Sequence, residues 1–264
     1  DIDKLSAVIT YEMFFNLYLE IFEKLGIKII PVKALSGEIG GDISHEFHML
    51  CNTGESNIFY DKAIKDSNSK LKNYNFFKEK YSSTDEYYNK EVKKPKNLLS
   101  NKSIELGHIF LFGTKFSKSF NFKINSSNGS FNPYMGSYGI GLSRIPAAVI
   151  ENNNDEKGII WPLEIAPFKL IIINLKPEDS VCNEFSEKIY SSLKNDKIDV
   201  LLDDRKERIG IKFSEADLIG IPFQIIIGND FLENKLIQIK ERRTQKEFHL
   251  NESDFYKRIL SMLK

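Results

Sequence analysis

The residues best suited to chemistry lie in a glycine-rich segment, GSYGIGLSR, which ends at Arg144. Glycine weakens a strand, so three glycines in one strand indicate that a flat ligand or another backbone approaches closely. Arg144 stands at the start of a predicted helix, where the helix dipole and a guanidinium together favour an anion such as a phosphate. The segment fits neither a dinucleotide fingerprint nor a Walker loop. A tight contact between strand and helix explains the same glycines, and both interpretations stay open.

A second group of reactive side chains, in SHEFHMLC, comprises His45, His48 and Cys51. The two histidines stand one residue too close for the HExxH zinc pattern. On a strand they point to opposite faces, so we predict no metal site and favour a polar pocket or hydrogen-bonded core histidines. Glu105 and His108, in IELGHIF, fit a ligand contact and a plain sheet edge equally well.

A run of charged residues occupies the segment LLDDRKERIGIK. Such a run is usually a solvated face. This one follows a strand in a pattern of alternating strands and helices, and ligands tend to dock at the carboxyl ends of such strands. The position therefore favours binding. The charged residues concerned are Asp203, Asp204, Arg205, Lys206, Arg208 and Lys212.

The surrounding elements divide into two patterns. Apolar residues from Phe14 to Leu25 follow one face of a helix, and Gly26 stands where that helix is expected to end. Residues 62–102 are polar with weak periodicity, and are interpreted as a surface insert or mobile connection. The prolines of WPLEIAPF indicate a domain boundary near Ala166. Beyond it strands alternate with helices, which predicts a mostly parallel sheet covered by helices.

The composition is that of a folded globular protein. The chain has 264 residues, enough for two domains, with 28% charged and 41% hydrophobic residues. Basic and acidic residues both number 37, so no overall basic field drives non-specific nucleic-acid binding. Two distant cysteines and the lack of a signal peptide favour the cytoplasm, and polar residues interrupt the first apolar segment, so we predict no membrane span. The first residue is not Met, which indicates that the chain begins inside a longer protein.

Together these motifs resemble the bacterial-type prolyl-tRNA synthetases, a family of class II aminoacyl-tRNA synthetases. The matching stretches follow the family's order and cover most of the chain except residues 62–102. They are SGEIGGDISHEFHML, LGHIFLFGTKFS, GSYGIGLSR with DEKGIIWPLEIAPF, and LLDDRKERIGIKFSEADLIGIPFQIIIG. The resemblance implies an α+β catalytic portion with an antiparallel sheet over residues 1–166, and an α/β anticodon-binding domain with a mostly parallel mixed sheet over residues 167–264.

The resemblance also implies roles for individual residues. GSYGIGLSR is similar to the third class II motif, in which a glycine strand forms the floor of the ATP site and the arginine holds the terminal phosphates, so Arg144 takes a catalytic role. The implied ATP-binding residues are Glu105, Gly139, Gly141 and Arg144. The implied proline-binding residues are Gly107, His108, Phe110 and Ser137, and those implied for the tRNA anticodon are Asp204, Arg205 and Lys212. Ser137 replaces a cysteine that is common in bacterial relatives, which is a small-for-small change.

The implied activity is ligation of proline to tRNA(Pro) with ATP and Mg²⁺, by a cytoplasmic homodimer. The insert at 62–102 stands where many relatives carry an editing domain, so no editing is expected. The first two class II motifs would lie upstream of Asp1, so the chain alone is expected to be inactive. Two alternatives stay open. One is a synthetase-derived tRNA-binding or regulatory protein without ligase activity, and the other is a different class II synthetase.

Overall fold

The structure, a computed structural model, describes residues 1–37, 40, 41, 43–67, 73–127 and 129–263. Parts of two segments singled out above therefore lie outside the described residues: the loop of SGEIGGD and the insert at 62–102. The chain forms two compact units, Asp1–Asn152 and Asn153–Lys264.

The first unit is built on a six-stranded sheet of order β2-β1-β4-β3-β5-β8. Its strands are β1 (Ile29–Lys33), β2 (Ile43–Leu50), β3 (Ser56–Tyr60), β4 (Ser82–Thr84), β5 (Leu99–Gly113) and β8 (Met135–Ile140), with a separate hairpin of β6 (Ile124–Ser126) and β7 (Gly129–Phe131). The helices are α1 (Lys4–Lys24), α2 (Lys62–Asp66), α3 (Tyr74–Lys78), α4 (Asp85–Lys90), α5 (Lys115–Ser119) and α6 (Ile145–Asn152). All sheet pairings are antiparallel except one residue pair between β1 and β4, so the sheet is essentially antiparallel, as the resemblance implies.

Helix α1 covers one face of this sheet. It begins after the N-cap Asp3, whose carboxylate accepts a backbone hydrogen bond from the first turn. It ends before Gly26, whose φ of 70° is the left-handed conformation that glycine adopts readily, so the predicted helix end is confirmed. Phe15 and Tyr18 pack on Phe47 of β2, with ring centroids 5.3 and 5.1 Å apart. Aromatic packing therefore fixes the helix on the sheet.

By length and apolar composition alone, α1 could cross a membrane, and it is the one such helix in the described part of the chain. The expectation that its polar residues exclude a span therefore does not hold on these two criteria. Tyr11, Phe15 and Phe22 are fully buried in this unit. These three residues serve as the core of the first unit, whereas the apolar residues Leu5, Ile9, Met13 and Leu17 of the same helix are exposed.

The segment 62–102 is more closely built into the unit than its composition indicates. Its described residues form α2 to α4, β4 and the start of β5. Strand β4 lies between β1 and β3, and Ser82 Oγ donates to the Pro31 carbonyl at 2.8 Å. Tyr74 packs edge-on against Phe15. The interpretation as a surface insert or mobile connection is therefore wrong for these residues, because sheet pairing and buried aromatic contacts attach them to the core.

The second unit is built on a five-stranded sheet of order β12-β11-β13-β14-β15. Its strands are β11 (Leu170–Asn174), β12 (Val200–Asp203), β13 (Phe223–Ile227), β14 (Leu236–Glu241) and β15 (Glu247–Asn251), with a small hairpin of β9 (Asn154–Asp155) and β10 (Gly158–Ile159). The helices are α7 (Ser180–Asn195), α8 (Ile209–Ile219), α9 (Asn229–Asn234) and α10 (Glu252–Met262). Strand β11 pairs in parallel with β12 and β13, and the other two pairings are antiparallel. The sheet is therefore evenly mixed rather than mostly parallel, because β13 is followed by the antiparallel β14 and β15.

The compact units divide after Asn152, whereas the sequence places a domain boundary near Ala166. The difference arises because the β9–β10 hairpin packs on α8. A Cβ atom at Gly158, where φ is 138°, would lie 2.4 Å from the Cα atom of Leu218, so the two backbones touch. The segment WPLEIAPF thus belongs to the second compact unit, well inside its boundary.

Candidate functional site

Strand β2 separates an apolar face from a polar one. His45 and Phe47 point toward α1, and the Tyr11 hydroxyl lies 2.7 Å from His45 Nδ1. Glu46 and His48 point to the other face and contact each other. The prediction that His45 and His48 occupy opposite faces is therefore confirmed, and the two histidines do not share a metal site.

His108 of β5 is the centre of the polar face. Its Nε2 atom lies 2.7 Å from Ser44 Oγ, and its Nδ1 atom lies 3.5 Å from a Glu105 carboxylate oxygen and 3.7 Å from a Glu46 carboxylate oxygen. The second Glu46 oxygen lies 2.7 Å from His48 Nε2. Ser44 and Glu46 were missed at the sequence level. The period-two alternation of β2, which places Ser44, Glu46 and His48 on one face, would have identified them.

Arg144 joins this cluster from the far side of Glu105. It occupies a short 3-10 turn, Leu142–Arg144, directly before α6, so the predicted arrangement of glycine strand, arginine and helix is confirmed. Its Nη1 atom donates to the Glu105 carbonyl at 2.8 Å and to the carboxylate at 3.2 Å. The hydrogen bond from His108 and, less strongly, that from Arg144 hold the pKa of Glu105 below its usual range, against the effect of burial. The cluster therefore presents an ionised carboxylate beside a half-exposed guanidinium.

The glycines of β8 differ in what surrounds them. A Cβ atom at Gly136 would lie 2.9 Å from the Phe110 carbonyl, so this glycine permits close strand packing. A Cβ atom at Gly139 would meet nothing nearer than the His108 carbonyl at 3.8 Å, and Gly139 and Ser137 are both exposed. Close strand packing therefore explains Gly136, whereas the approach of a ligand to Gly139 stays a prediction. Gly139 leaves open space above the polar face.

Two further candidate residues of β5, Phe110 and Gly107, face opposite sides of the sheet. The Phe110 ring stacks on the His108 ring with centroids 3.7 Å apart, so it belongs to the cluster. A Cβ atom at Gly107 would instead lie 3.3 Å from the ring of Tyr18, on the α1 side. Gly107 thus permits the close approach of α1 and does not face the polar cluster.

Three of the clustered side chains could together hold a metal ion. One potential ligand atom each of Glu46, Glu105 and His108 lies within 4.8 Å of the other two. This group differs from the histidine and cysteine set considered from the sequence. Carboxylates are ligands that Mg²⁺ prefers, whereas an imidazole suits Zn²⁺ better.

The charge run of the second unit is mostly paired internally. Lys212 is 1% exposed, and its Nζ atom donates to the carbonyls of Asn174 at 2.6 Å and Asp203 at 3.2 Å. It therefore joins the carboxyl ends of β11 and β12, and its burial corrects the expectation that it contacts RNA. Arg205 forms two hydrogen bonds to the Asp203 carboxylate, at 3.0 and 2.9 Å. Asp204 is exposed and has no hydrogen bond or ion pair with any residue that the structure describes.

The fold and site together define a class of protein. The chain matches the family model described as "tRNA synthetase class II core domain (G, H, P, S and T)" over residues 6–153, and that described as "Anticodon binding domain" over residues 169–262. The first match covers more than half of the chain. The chain therefore belongs to the class II tRNA synthetase core family.

Curated proteins that are similar to this chain are ligases for one amino acid, proline. The proline–tRNA ligase of Rickettsia bellii is 44% identical over 265 residues, which are 99% of this chain and 60% of the relative. That of Ehrlichia ruminantium is 42% identical over 258 residues, 97% of this chain and 60% of the relative. The resemblance inferred from the motifs is confirmed. The chain spans about three fifths of the length of these curated relatives.

A solved structure supports the fold. The prolyl-tRNA synthetase from Cryptosporidium parvum, complexed with L-proline and AMP, matches with a TM-score of 0.66 and 19% sequence identity. The match covers 98% of this chain and 45% of that one. At this identity the likeness concerns the fold alone.

Proposed function

We propose that this chain is part of a proline–tRNA ligase, in which it forms a portion of the catalytic core and the anticodon-binding domain. The proline carboxylate attacks the α-phosphate of ATP and releases pyrophosphate. The resulting prolyl-adenylate then transfers its acyl group to the terminal adenosine of tRNA(Pro) and releases AMP. The observation that carries the proposal is the array of Arg144, Glu105 and His108 on an open glycine strand, in a chain whose relatives are proline–tRNA ligases.

Arg144 and the glycine strand form the ATP side of the proposed site. The Arg144 side chain is 54% exposed, so its guanidinium can exchange Glu105 for the terminal phosphates of ATP without leaving a buried charge unpaired. Gly139 and Gly141 form the floor beneath the nucleotide, and Glu105 hydrogen-bonds the ribose. Catalysis by these residues rests on positioning and on charge stabilisation at the phosphates, so no covalent enzyme intermediate is expected.

His108, Phe110 and Ser137 form the proline side. The Phe110 ring offers an apolar surface for the pyrrolidine ring, and the small Ser137 leaves space beside it. Glu46, whose carboxylate contacts His48 and His108, supplies a negative charge that matches the ammonium group of proline. Gly107 shapes this pocket indirectly, by letting α1 pack closely behind it.

Mg²⁺ fits the donor atoms of this site as a companion of ATP. Glu105, which pairs with Arg144, is the carboxylate that would hold it, because Mg²⁺ prefers one or two carboxylates together with substrate phosphates. When bound, it would neutralise charge that develops on the phosphates.

The second unit would bind the anticodon of tRNA(Pro). Its match to the anticodon-binding family supports this assignment, and Asp204 and Arg205 are the surface residues proposed to contact RNA. Lys212 then acts as a positioning residue, because it holds the strand ends that carry them. We further propose that the complete enzyme works as a homodimer in the cytoplasm.

Amino-acid-dependent exchange of pyrophosphate into ATP by the complete protein tests the proposal. The matched family acts on glycine, histidine, proline, serine and threonine, so these five amino acids form the panel. Exchange is expected with proline only. Exchange with another member of the panel would identify a different class II synthetase. Binding of tRNA without any exchange would identify a binding or regulatory protein.

A further inference from the structure

Aromatic side chains form a continuous ladder from the polar cluster to the surface of the first unit. The ring centroids are 3.7 Å apart between His108 and Phe110, and 5.5 Å apart between Phe110 and Phe112. The ladder continues to Phe116 at 4.8 Å and from there to Phe120 at 6.2 Å. One end thus lies in the proposed active site and the other end lies outside it.

The ladder results from two periodicities that meet at a turn. Alternate residues 108, 110 and 112 share one face of β5. Gly113, with a φ of 61°, precedes α5, and Phe116 in α5 and Phe120 at its C-cap are about one helical turn apart. The loop after α5 is fixed by Asn132, whose Nδ2 atom donates to the carbonyls of Ser117 and Phe122 at 3.2 and 2.9 Å. The outer end of the ladder is therefore held in place by the fold.

The outer end is both aromatic and basic. Phe120 and Phe122 are 74% and 49% exposed, which is unusual for such large apolar side chains. Residues 113–123 contain three lysines, 115, 118 and 123, and no acidic residue. Among the residues that the structure describes, Lys118 and Lys123 have no ion pair. The exposed rings, together with Lys118 and Lys123, which no carboxylate of the described residues neutralises, indicate a ligand that is aromatic and anionic.

We propose that this ladder binds the single-stranded 3′ end of the tRNA on its way to the active site, an inference that rests on the proposed function. A single strand offers unpaired bases that stack on aromatic rings and phosphates that pair with lysines. A duplex hides the faces of its bases, so it would gain little from Phe120 and Phe122. Continuity with His108 distinguishes this surface from an isolated apolar patch, because the acyl acceptor of the proposed reaction is the terminal adenosine of that strand.

Binding of a fluorescein-labelled single-stranded oligoribonucleotide, with the sequence of the 3′ end of tRNA(Pro), measures the interaction in the complete protein. Phe120→Ala is expected to weaken binding about tenfold, as the loss of one stacked base implies, and Phe120→Trp is expected to retain it. Lys118→Gln and Lys123→Gln are each expected to reduce the slope of log affinity against log salt concentration by about 0.7. Val92→Ala and Lys93→Gln, which are exposed elsewhere on the same unit, are controls expected to change neither value.

Proline-dependent pyrophosphate exchange separates this inference from the proposed function, because the exchange reaction needs no RNA. Exchange is expected to be unchanged in Phe120→Ala, while the KM for tRNA(Pro) in charging rises about tenfold. A wild-type protein without exchange would refute the proposed function. Normal exchange, together with oligonucleotide binding by Phe120→Ala within twofold of wild type, would refute the ladder alone. A change in oligomeric state with unchanged RNA binding would assign the surface to a second copy of the chain and overturn the inference.

Discussion

The two units place charged side chains in opposite environments. In the first unit, Arg144 and Glu105 lie on an open sheet face with side chains 54% and 32% exposed. In the second unit, the side chains of Lys212 and Arg242 are 1% and 0% exposed. An ion pair that water already reaches can exchange one partner for a ligand, whereas a buried pair cannot lose a partner without a large cost. The Arg144–Glu105 pair is therefore available to a ligand, whereas Lys212 and Arg242 hold the fold of the second unit together.

The second unit shows how far this internal pairing extends. Lys240 Nζ lies 3.0 and 2.9 Å from the two Asp217 carboxylate oxygens. Arg242 donates to both carboxylate oxygens of Asp155, at 2.8 and 2.6 Å, and its Nε atom donates to the Asp217 carbonyl. Pairing with Arg242 holds the pKa of the Asp155 carboxyl far below its usual range. These contacts connect β14, α8 and the β9–β10 hairpin.

Replacing Lys212 with Met gives the largest expected effect. The free energy of unfolding of the second unit should fall by about 3–5 kcal/mol, because two carbonyls and the Asp203 carboxylate lose a buried cation. Urea unfolding of the chain, with hydrogen exchange at the amides of β11 and β12, measures the loss. Lys206→Met is the control, since Lys206 is 72% exposed in the same segment, and it should change stability by less than about 0.5 kcal/mol. Equal effects of both substitutions would contradict the contrast between the units.

Replacing Arg144 with Ala should act on activity instead of stability. We expect pyrophosphate exchange by the complete enzyme to slow about a hundredfold, on the order of 3 kcal/mol, because one charged contact to the triphosphate is lost. The thermal unfolding midpoint should stay close to that of wild type, since the side chain is half exposed. Arg144→Lys, which keeps the charge without the planar guanidinium, should give an intermediate rate. A rate for Arg144→Ala within twofold of wild type would refute the assignment to ATP.

Acid should destabilise the first unit through His45. Burial, reinforced by the nearby Lys33 and His108, lowers the pKa of His45 to about 3, and the Tyr11 hydroxyl lies 2.7 Å from its Nδ1 atom. The unfolded chain binds this proton below about pH 6.5 and the folded unit does not, so stability falls as the pH drops. The slope should approach about 1.4 kcal/mol per pH unit between pH 6 and pH 5.

Hydrogen exchange at the amides of β2, measured between about pH 7 and pH 5 and corrected for intrinsic rates, follows this loss. His45→Gln should remove most of the slope. His249→Gln serves as the matched control in the second unit, where His249 is 43% exposed, and should leave the slope of the first unit intact. A slope that survives in His45→Gln would assign the pH dependence to other groups.

Replacing Asp204 with Ala should have the smallest effect of the four. The KM for tRNA(Pro) in charging should rise about tenfold, which is the effect of losing one contact to a base edge. Proline activation and the urea midpoint should not change, because the side chain is exposed and unpaired among the described residues. Unchanged charging by Asp204→Ala would remove this residue from the proposed anticodon contacts.

The features that were predicted correctly depend on residues that are close together in the sequence. The end of α1 at Gly26, the opposite faces of His45 and His48, and the order of glycine strand, Arg144 and helix all follow from local periodicity and backbone preference. Sequence patterns failed where distant segments decide the outcome. Lys212 becomes buried because two strand ends enclose its ammonium group, although its own segment has the composition of a solvated face.

The same limit explains the other errors. Asp155 and Arg242 are 87 positions apart, so no local pattern indicates that they pair. The polar composition of residues 62–102 does not reveal that a three-residue strand, Ser82–Thr84, completes the sheet. Ser44 and Glu46 lie in a stretch that matches the family but were given no role, and the alternation of β2 is what relates them to His108.

The ion pair between Arg242 and Asp155 determines which residues the second unit needs when it is produced separately or fused to another protein. A version that starts at Pro167 would retain the fully buried guanidinium and lose the carboxylate that neutralises it. It would also lose the hairpin whose Gly158 lies against α8. A stable version of the second unit therefore has to begin at Asn153. Any recombination or gene fusion that preserves its stability should retain residues 153–166 in addition to residues 167–264.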